Sequence, residues 1–288
     1  MKDLLKLLRV HQWFKNLFVF IPVIFSGNLF IHNLFFQSVL AFFLFSIAAS
    51  SIYIINDYSD IESDKNHPTK RFRPLASGAI SKTQAIILLF LLVSIEIVLL
   101  ILFANLTTSF LVLGYFLLNL FYTFKLKTIA ILDVMVIAMG FVLRVLVGGS
   151  MTGIEISDWT ILLTFVLALM LALGKRRGEI VNDQTMGVTR KSLEGYNLEF
   201  INIALVINSV MVIVCYMMFT LSEDTQERFH SLIFYTIIFV IIGVFRYLQQ
   251  TFVFNRTESP TKLIYKDLFL QLTIVGWILT IVMLIYFN

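Results

Sequence analysis

One cysteine, Cys215, stands in 288 residues, so the chain can build neither a disulfide framework nor a thiolate metal site of its own. It lies inside an apolar run and reads as a packing residue. Charge is scarce too: Asp, Glu, Lys and Arg make up only 14% of the sequence, against 59% hydrophobic residues and a mean hydropathy of +0.89. A soluble globule needs more charge than this to cover its surface. The glycine-rich loops that cradle nucleotides are missing, as are the HExxH pattern of zinc hydrolases and the serine elbow. No short repeat, low-complexity tail or separate soluble domain is visible, and no nucleic-acid partner is expected.

What the chain has in quantity is one apolar run after another, the pattern of an all-α, polytopic membrane protein. Nine spans fit, at about 16–32, 36–55, 83–103, 107–124, 129–149, 158–174, 200–220, 231–249 and 267–287. The basic start, with Lys2, Lys6 and Arg9, resembles the head of a signal peptide. No cleavage site follows it, so it reads as the lead-in to an uncleaved first helix. In this layout every lysine and arginine except Arg144 and Arg228 falls on the side of the N-terminus. Glu155, Asp158, Glu223, Asp224 and Glu227 face the other side. The positive-inside rule then puts the N-terminus in the cytoplasm and the C-terminus outside. The two longest polar segments, 56–82 and 175–199, share the cytoplasmic side, and the chemistry is expected there.

The first segment reads Asn56-Asp57-x-x-Asp60-x-x-x-Asp64-x-x-His67-Pro68-x-Lys70-Arg71-x-Arg73-Pro74. On a continuing helix the acids at i, i+3 and i+7 share one face. As a solvated helix end they need no function. Crowded carboxylates repel unless a cation joins them, however, and Mg²⁺, which favours oxygen ligands and contacts diphosphates directly, suits the set. Lys70, Arg71 and Arg73 would then hold the phosphate charge that the metal leaves, arginine in bidentate fashion. His67 is read as a donor to phosphate or a loop residue rather than a ligand of an oxygen-seeking ion. Pro68 and Pro74 keep the basic stretch out of a simple helix. Ser77-Gly78 marks a turn, and Ser81 is an N-cap candidate for the next span.

The second segment opens Lys175-Arg176-Arg177-Gly178-Glu179-x-x-Asn182-Asp183, with Glu179 and Asp183 able to share a helix face. A positive-inside anchor explains its bases. The acids, and the distance to the next span, favour a second substrate-facing loop extended by Arg190, Lys191 and Tyr196. Lys125 and Lys127 close the fourth span, with Tyr122 just inside. Asp133, near the start of the fifth span, is a site candidate. Arg144, deep within that span, must face a cavity or a partner, and pairing with Glu96 stands beside substrate contact. Gly140, Gly148 and Gly149 are read as permitting close helix approach.

These motifs resemble those of the UbiA superfamily of intramembrane prenyltransferases, beginning with Asn56-Asp57-x-x-Asp60-x-x-x-Asp64. Within it the chain looks most like the polyprenyl-phosphate phosphoribosyltransferases, the decaprenyl-phosphate enzymes among them. The marks are Gln12-Trp13-x-Lys15-Asn16, His67-Pro68-x-Lys70-Arg71-x-Arg73-Pro74, Leu126-Lys127, Asp133 with Phe141-x-x-Arg144, Lys175-Arg176-x-x-Glu179 and Arg246-Tyr247. The resemblance implies a single domain over residues 1–288, a nine-helix bundle in a bacterial inner membrane. It implies transfer of 5-phosphoribosyl from phosphoribosyl pyrophosphate to polyprenyl phosphate, with membrane lipid as surroundings. A homo-oligomer is compatible with it. Asp57, Asp60 and Asp64 would hold Mg²⁺ beside Asn56. Lys70, Arg71, Arg73 and His67 would bind donor phosphates, and Lys15, Lys127 and Lys175 the lipid phosphate. Tyr122, Asp133, Arg144, Arg176, Glu179 and Asp183 would support them. Many members carry a second Asp-x-x-x-Asp motif where this chain has Glu179-x-x-x-Asp183 behind three bases, a departure that suits a more anionic donor. Prenyl transfer from a prenyl diphosphate to a small acceptor, and transport without catalysis, are the competing readings.

Overall fold

The computed structural model describes residues 2–186, 191–229, 231–256 and 260–287, without the side chains of 182–186 and 260–262. The described residues form helices and no strands. In chain order the α-helices are α1 (Lys2–Leu7), α2 (Ile21–Phe25), α3 (His32–Ser59), α4 (Ile61–Lys65), α5 (Lys82–Phe103), α6 (Leu106–Phe124) and α7 (Leu132–Thr152). They continue with α8 (Asp158–Met186), α9 (Leu198–Leu221), α10 (Glu223–Phe229), α11 (Ile237–Phe252), α12 (Pro260–Lys266) and α13 (Leu268–Tyr286). An apolar run in lipid has no water for its backbone N–H and C=O groups, and a helix pairs them within the segment.

Eight helices among the described residues are long and apolar enough to cross a membrane: α3, α5, α6, α7, α8, α9, α11 with its lead-in turn from Ser231, and α13. The expected first span is not one of them. Val10–Phe20 winds as a 3₁₀ helix, and α2 then restarts with Pro22 in its first turn. Proline lacks the N–H that a running helix needs, so it opens a helix rather than continuing one.

The chain divides into two compact units, residues 1–127 with 143–155 and residues 128–142 with 156–288. In the first, α3 is the spine. Its 28 residues reach roughly 42 Å at 1.5 Å each, more than a hydrocarbon core of about 30 Å, so its polar end at Asn56-Asp57 can clear the core. Ala48, Ala49, Ser50 and Ser51 keep its side chains short where neighbours approach. A 3₁₀ helix has three residues per turn, so Trp13, Asn16 and Val19 form one row. Trp13 Nε1 donates to Ser50 Oγ (3.1 Å) and Asn16 Nδ2 to Ser46 Oγ (2.9 Å), one turn apart on α3. Val19 meets Gly148 of α7.

Arg144 lies buried in the same unit. Its Nε donates to Asn16 Oδ1 (2.9 Å), and its guanidinium sits over the rings of Phe45 (4.6 Å) and Tyr115 (5.5 Å). The expected pairing with Glu96 does not form, and both Glu96 carboxylate oxygens are buried without a hydrogen-bond partner. The row of the 3₁₀ helix brings Asn16 to the arginine instead. On α5, Ile87, Phe90 and Ile101 are 62%, 75% and 77% exposed. Side chains this apolar, turned out from the protein, are at home against acyl chains.

In the second unit α8 packs along α9, and α11 along α9 and α13. Val166, Met170 and Leu173 meet Ile201, Leu205, Val212 and Tyr247 in its core. Asn208 Nδ2 donates to the Val166 carbonyl (2.7 Å), and Gly174 leaves room for the Tyr247 phenol. Asp267 caps α13 through the Leu270 N–H (2.8 Å).

Candidate functional site

The acid motif does not ride on one unbroken helix. α3 ends at Ser59, Asp60 takes φ −97° and ψ 5°, and α4 resumes at Ile61. The Asp60 N–H still bonds to the Asn56 carbonyl (3.0 Å) and the Asp64 N–H to the Asp60 carbonyl (2.8 Å). The result is a kink that divides the acids by partner. Arg73 Nη1 donates to Asp57 Oδ1 (3.1 Å) and Asp64 Oδ2 (2.7 Å). Asp60 Oδ1 instead meets Lys127 Nζ at 2.6 Å. Arg73 has the extended backbone (φ −64°, ψ 145°) that the ring of Pro74 imposes on the residue before it.

Arg9 is the partner that sequence reading missed. It appeared there only as a topology signal. Here it adopts φ +50°, a conformation uncommon for a residue with a side chain, and its Nη2 bonds to Asp57 Oδ1 while its guanidinium lies 4.8 Å from the centre of the Tyr53 ring. Lys6, Arg9, His11 and Arg73 line a cavity of about 290 Å³ together with Asp57 and Phe72. Its only signal in the sequence is the nearness of Arg9 to the motif Gln12-Trp13-x-Lys15-Asn16.

The other predicted residues of this unit take varied places. His67 Nδ1 accepts the N–H groups of Thr69 (3.2 Å) and Lys70 (3.4 Å), so it closes the turn that presents the bases. Burial, then the charge of Lys70, hold its imidazole below the usual histidine range. Lys70 and Arg71 are exposed on a 3₁₀ turn, Arg71 stacked on Phe72 at 4.9 Å. Lys15 Nζ donates to Gln12 Oε1 (3.2 Å), and Tyr122 is half-buried on α6. The turn expected at Gly78 is present with φ +78°, and Ser81 caps α5 in a reciprocal box with Gln84.

The second unit carries its own polar cluster. Asp133 is completely buried and accepts from Arg176 Nε (2.6 Å), Ser192 Oγ (3.1 Å) and Tyr196 Oη (2.8 Å). Arg176 also bonds to Glu179, whose other oxygen lies 3.6 Å from Lys175 Nζ. The Tyr196 hydroxyl receives the N–H of Ile131 (2.6 Å), a β-branched residue held at φ +70°. Burial and the hydrogen bond to Asp133 push the Tyr196 phenol above its ordinary range. Asp133, the site candidate of the fifth span, is thus a buried anchor of Arg176 and of the segment from Ser192 to Tyr196. The side chain of Asp183 and all of Arg190 lie outside the described residues.

Among the described residues, no three Asp, Glu, His or Cys side chains stand together as a ready metal cluster. The donor chemistry nevertheless fits a hard cation. Asp57 and Asp64 turn oxygens onto one positively charged nitrogen, and the neighbouring Asn56 Oδ1 is buried without a hydrogen-bond partner.

The profile of the UbiA prenyltransferase family matches residues 18–273. A protein of Mycolicibacterium smegmatis named decaprenyl-phosphate phosphoribosyltransferase is 34% identical over 99% of this chain and 93% of its own length. A protein of Corynebacterium glutamicum with the same name is 32% identical over 98% of this chain and 86% of its own. The solved structure of a UbiA homolog from Archaeoglobus fulgidus bound to GPP and Mg²⁺ superposes with a TM-score of 0.68, at 18% identity, over 97% of this chain and 96% of that one. This last likeness shows the fold.

Proposed function

The chain belongs to the UbiA prenyltransferase family, and from that premise we propose that it moves the 5-phosphoribosyl group of phosphoribosyl pyrophosphate onto a long-chain polyprenyl phosphate. The products are polyprenyl-phosphoryl-5-phosphoribose and pyrophosphate. The observation that carries this choice is the near-full-length likeness to relatives named decaprenyl-phosphate phosphoribosyltransferase. The cavity beside Asp57 agrees with it. Lys6, Arg9 and Arg73 outnumber the single carboxylate there, which suits a donor with phosphate at both ends.

Asp57, Asp60 and Asp64, with the amide oxygen of Asn56, would hold Mg²⁺, which when bound offsets charge on the pyrophosphate leaving group. Arg9 and Arg73, with Lys70 and Arg71 on the adjoining turn, bind the donor phosphates and face the charge that grows as the bond to the anomeric carbon weakens. The attacking oxygen of the lipid phosphate is already anionic. It needs placement more than a base, and Lys15 and Lys127 are assigned to that. The bias of lysine and arginine supports a cytoplasmic N-terminus, with the donor arriving from the cytoplasm, and the bacterial relatives suit a bacterial inner membrane.

The test uses purified protein, Mg²⁺ and labelled phosphoribosyl pyrophosphate, with and without polyprenyl phosphate. A lipid-extractable, phosphoribose-labelled product that requires polyprenyl phosphate is expected. No such product, alongside consumption of a prenyl diphosphate with a small acceptor, overturns the reading.

A further inference from the structure

The acids of the first unit already have cationic partners inside the protein. Asp57 Oδ1 accepts from both Arg9 and Arg73, Asp64 Oδ2 from the same Arg73 nitrogen, and Asp60 pairs with Lys127. The layering is uneven. The Asp57 and Asp64 side chains are 2% and 4% exposed, whereas those of Arg9 and Arg73 are 15% and 27% exposed, and both arginines line the cavity. Asp57, which lines the cavity with them, and Asp64 are thus far less exposed than the two guanidiniums offered to an anion there.

A divalent cation that takes Asp57 Oδ1 or Asp64 Oδ2 takes it from an arginine. Breaking a buried pair leaves an unpaired charge in a poor solvent for it, which is strongly unfavourable. An anion in the cavity changes the balance, because a freed guanidinium then meets phosphate oxygens in a geometry it favours.

We propose that Arg73 and the metal compete for the oxygens of Asp57 and Asp64, so that the anionic donor and the divalent cation bind as a coupled pair. The anion draws the arginines toward the cavity, and the acids they leave take the cation. Coupling of this kind is reciprocal, so the cation also strengthens anion binding. The protein without donor then holds the cation weakly, and Arg73 sets how weakly. This rests on the reading of the acids as metal-holding, and not on which group is transferred.

Mn²⁺, another oxygen-seeking divalent ion, can be followed by its paramagnetic signal without turnover. Arg73→Gln should bind Mn²⁺ alone more tightly than the unaltered protein, within the roughly 5- to 150-fold range usual for coupled sites. Sulfate, which fills an arginine site while holding Mn²⁺ poorly, should tighten Mn²⁺ binding in the unaltered protein and much less in Arg73→Gln. Equal or weaker Mn²⁺ binding by folded Arg73→Gln overturns the proposal. If that variant does not fold, Arg9→Gln is read in the same way. If neither folds, the sulfate titration of the unaltered protein decides, and no effect of sulfate overturns the coupling. No Mn²⁺ binding in any form removes the metal assignment itself and leaves the transfer reaction to its own assay.

Discussion

A methyl group placed on Gly148 would stand 2.0 Å from the carbonyl oxygen of Val19. Helix propensity alone would make alanine better there by about 1 kcal/mol. The contact is with backbone, which cannot rotate away, so overpacking wins. Gly148→Ala should destabilise the solubilised protein by about 1–3 kcal/mol. Gly114, in α6, has nothing within 4 Å of a built Cβ. Gly114→Ala should therefore be neutral or stabilise by up to about 1 kcal/mol. Thermal melts of both variants check this pair, and the same sign of shift in each would contradict it.

Asp57→Asn and Asp64→Asn keep shape and remove charge, leaving Arg9 and Arg73 without the anions they now hold. Phosphoribosyl transfer should fall by at least about 100-fold in each. Glu62, exposed in the same stretch and paired with Lys65, provides the comparison. Glu62→Gln should stay near the unaltered rate. Near-normal transfer by folded Asp57→Asn at saturating Mg²⁺ would remove it from the site.

The Tyr196 hydroxyl donates to Asp133 and accepts from the Ile131 N–H, so Tyr196→Phe strips one partner from a buried carboxylate and an acceptor from a backbone donor. A loss of about 1–3 kcal/mol is expected. Ser192→Ala removes a single, longer bond to the same carboxylate and should cost less. The order of the two melting temperatures is the measurement, and a larger loss in Ser192→Ala would count against Tyr196 as the stronger partner of Asp133.

Asp267 receives a hydrogen bond from Arg246, which holds its carboxyl below the ordinary aspartate range. A pKa lowered by folding adds stability that is complete above the unfolded value, near 3.9, and is lost as pH falls through the folded value. Melting temperature should therefore drop on acidification below about pH 4. Asp267→Asn should be less stable at neutral pH and flatter across that window. A slope unchanged in the variant would assign the loss to other groups.

Cysteines placed at Ser63 and Glu194, in a Cys215→Ser background, should react with an impermeant reagent only from the cytoplasmic side. Both positions are exposed, whereas Ser192 is buried against Asp133 and unsuited to labelling. Reaction from the outside alone at either position would contradict the orientation drawn from charge.

Apolar run length was enough to read the long helices, because each satisfies its own backbone and needs no knowledge of its neighbours. The Ser81 cap was legible for the same reason, since its spacing is local. Partner choice was not. Arg144 lies with Asn16, 128 positions earlier, and Arg176 with Asp133, 43 positions earlier. Nothing in either local pattern names those mates. The kink at Asp60 was missed because i, i+3, i+7 spacing describes an ideal helix, and Arg9 because a base before the first apolar run already had an explanation in sidedness.

The 3₁₀ winding of Val10–Phe20 changes how reach should be counted. At about 2.0 Å per residue that segment extends roughly 22 Å, and α2 adds about 7 Å at α-helical rise. The pair is therefore about as long as a hydrocarbon core is thick, using fewer residues than an α-helix needs for the same distance. A window calibrated to α-helical rise undervalues such a segment. Because the winding also advances 120° per residue, a single-residue deletion after Trp13 would turn Asn16 and Val19 off the row they share with it.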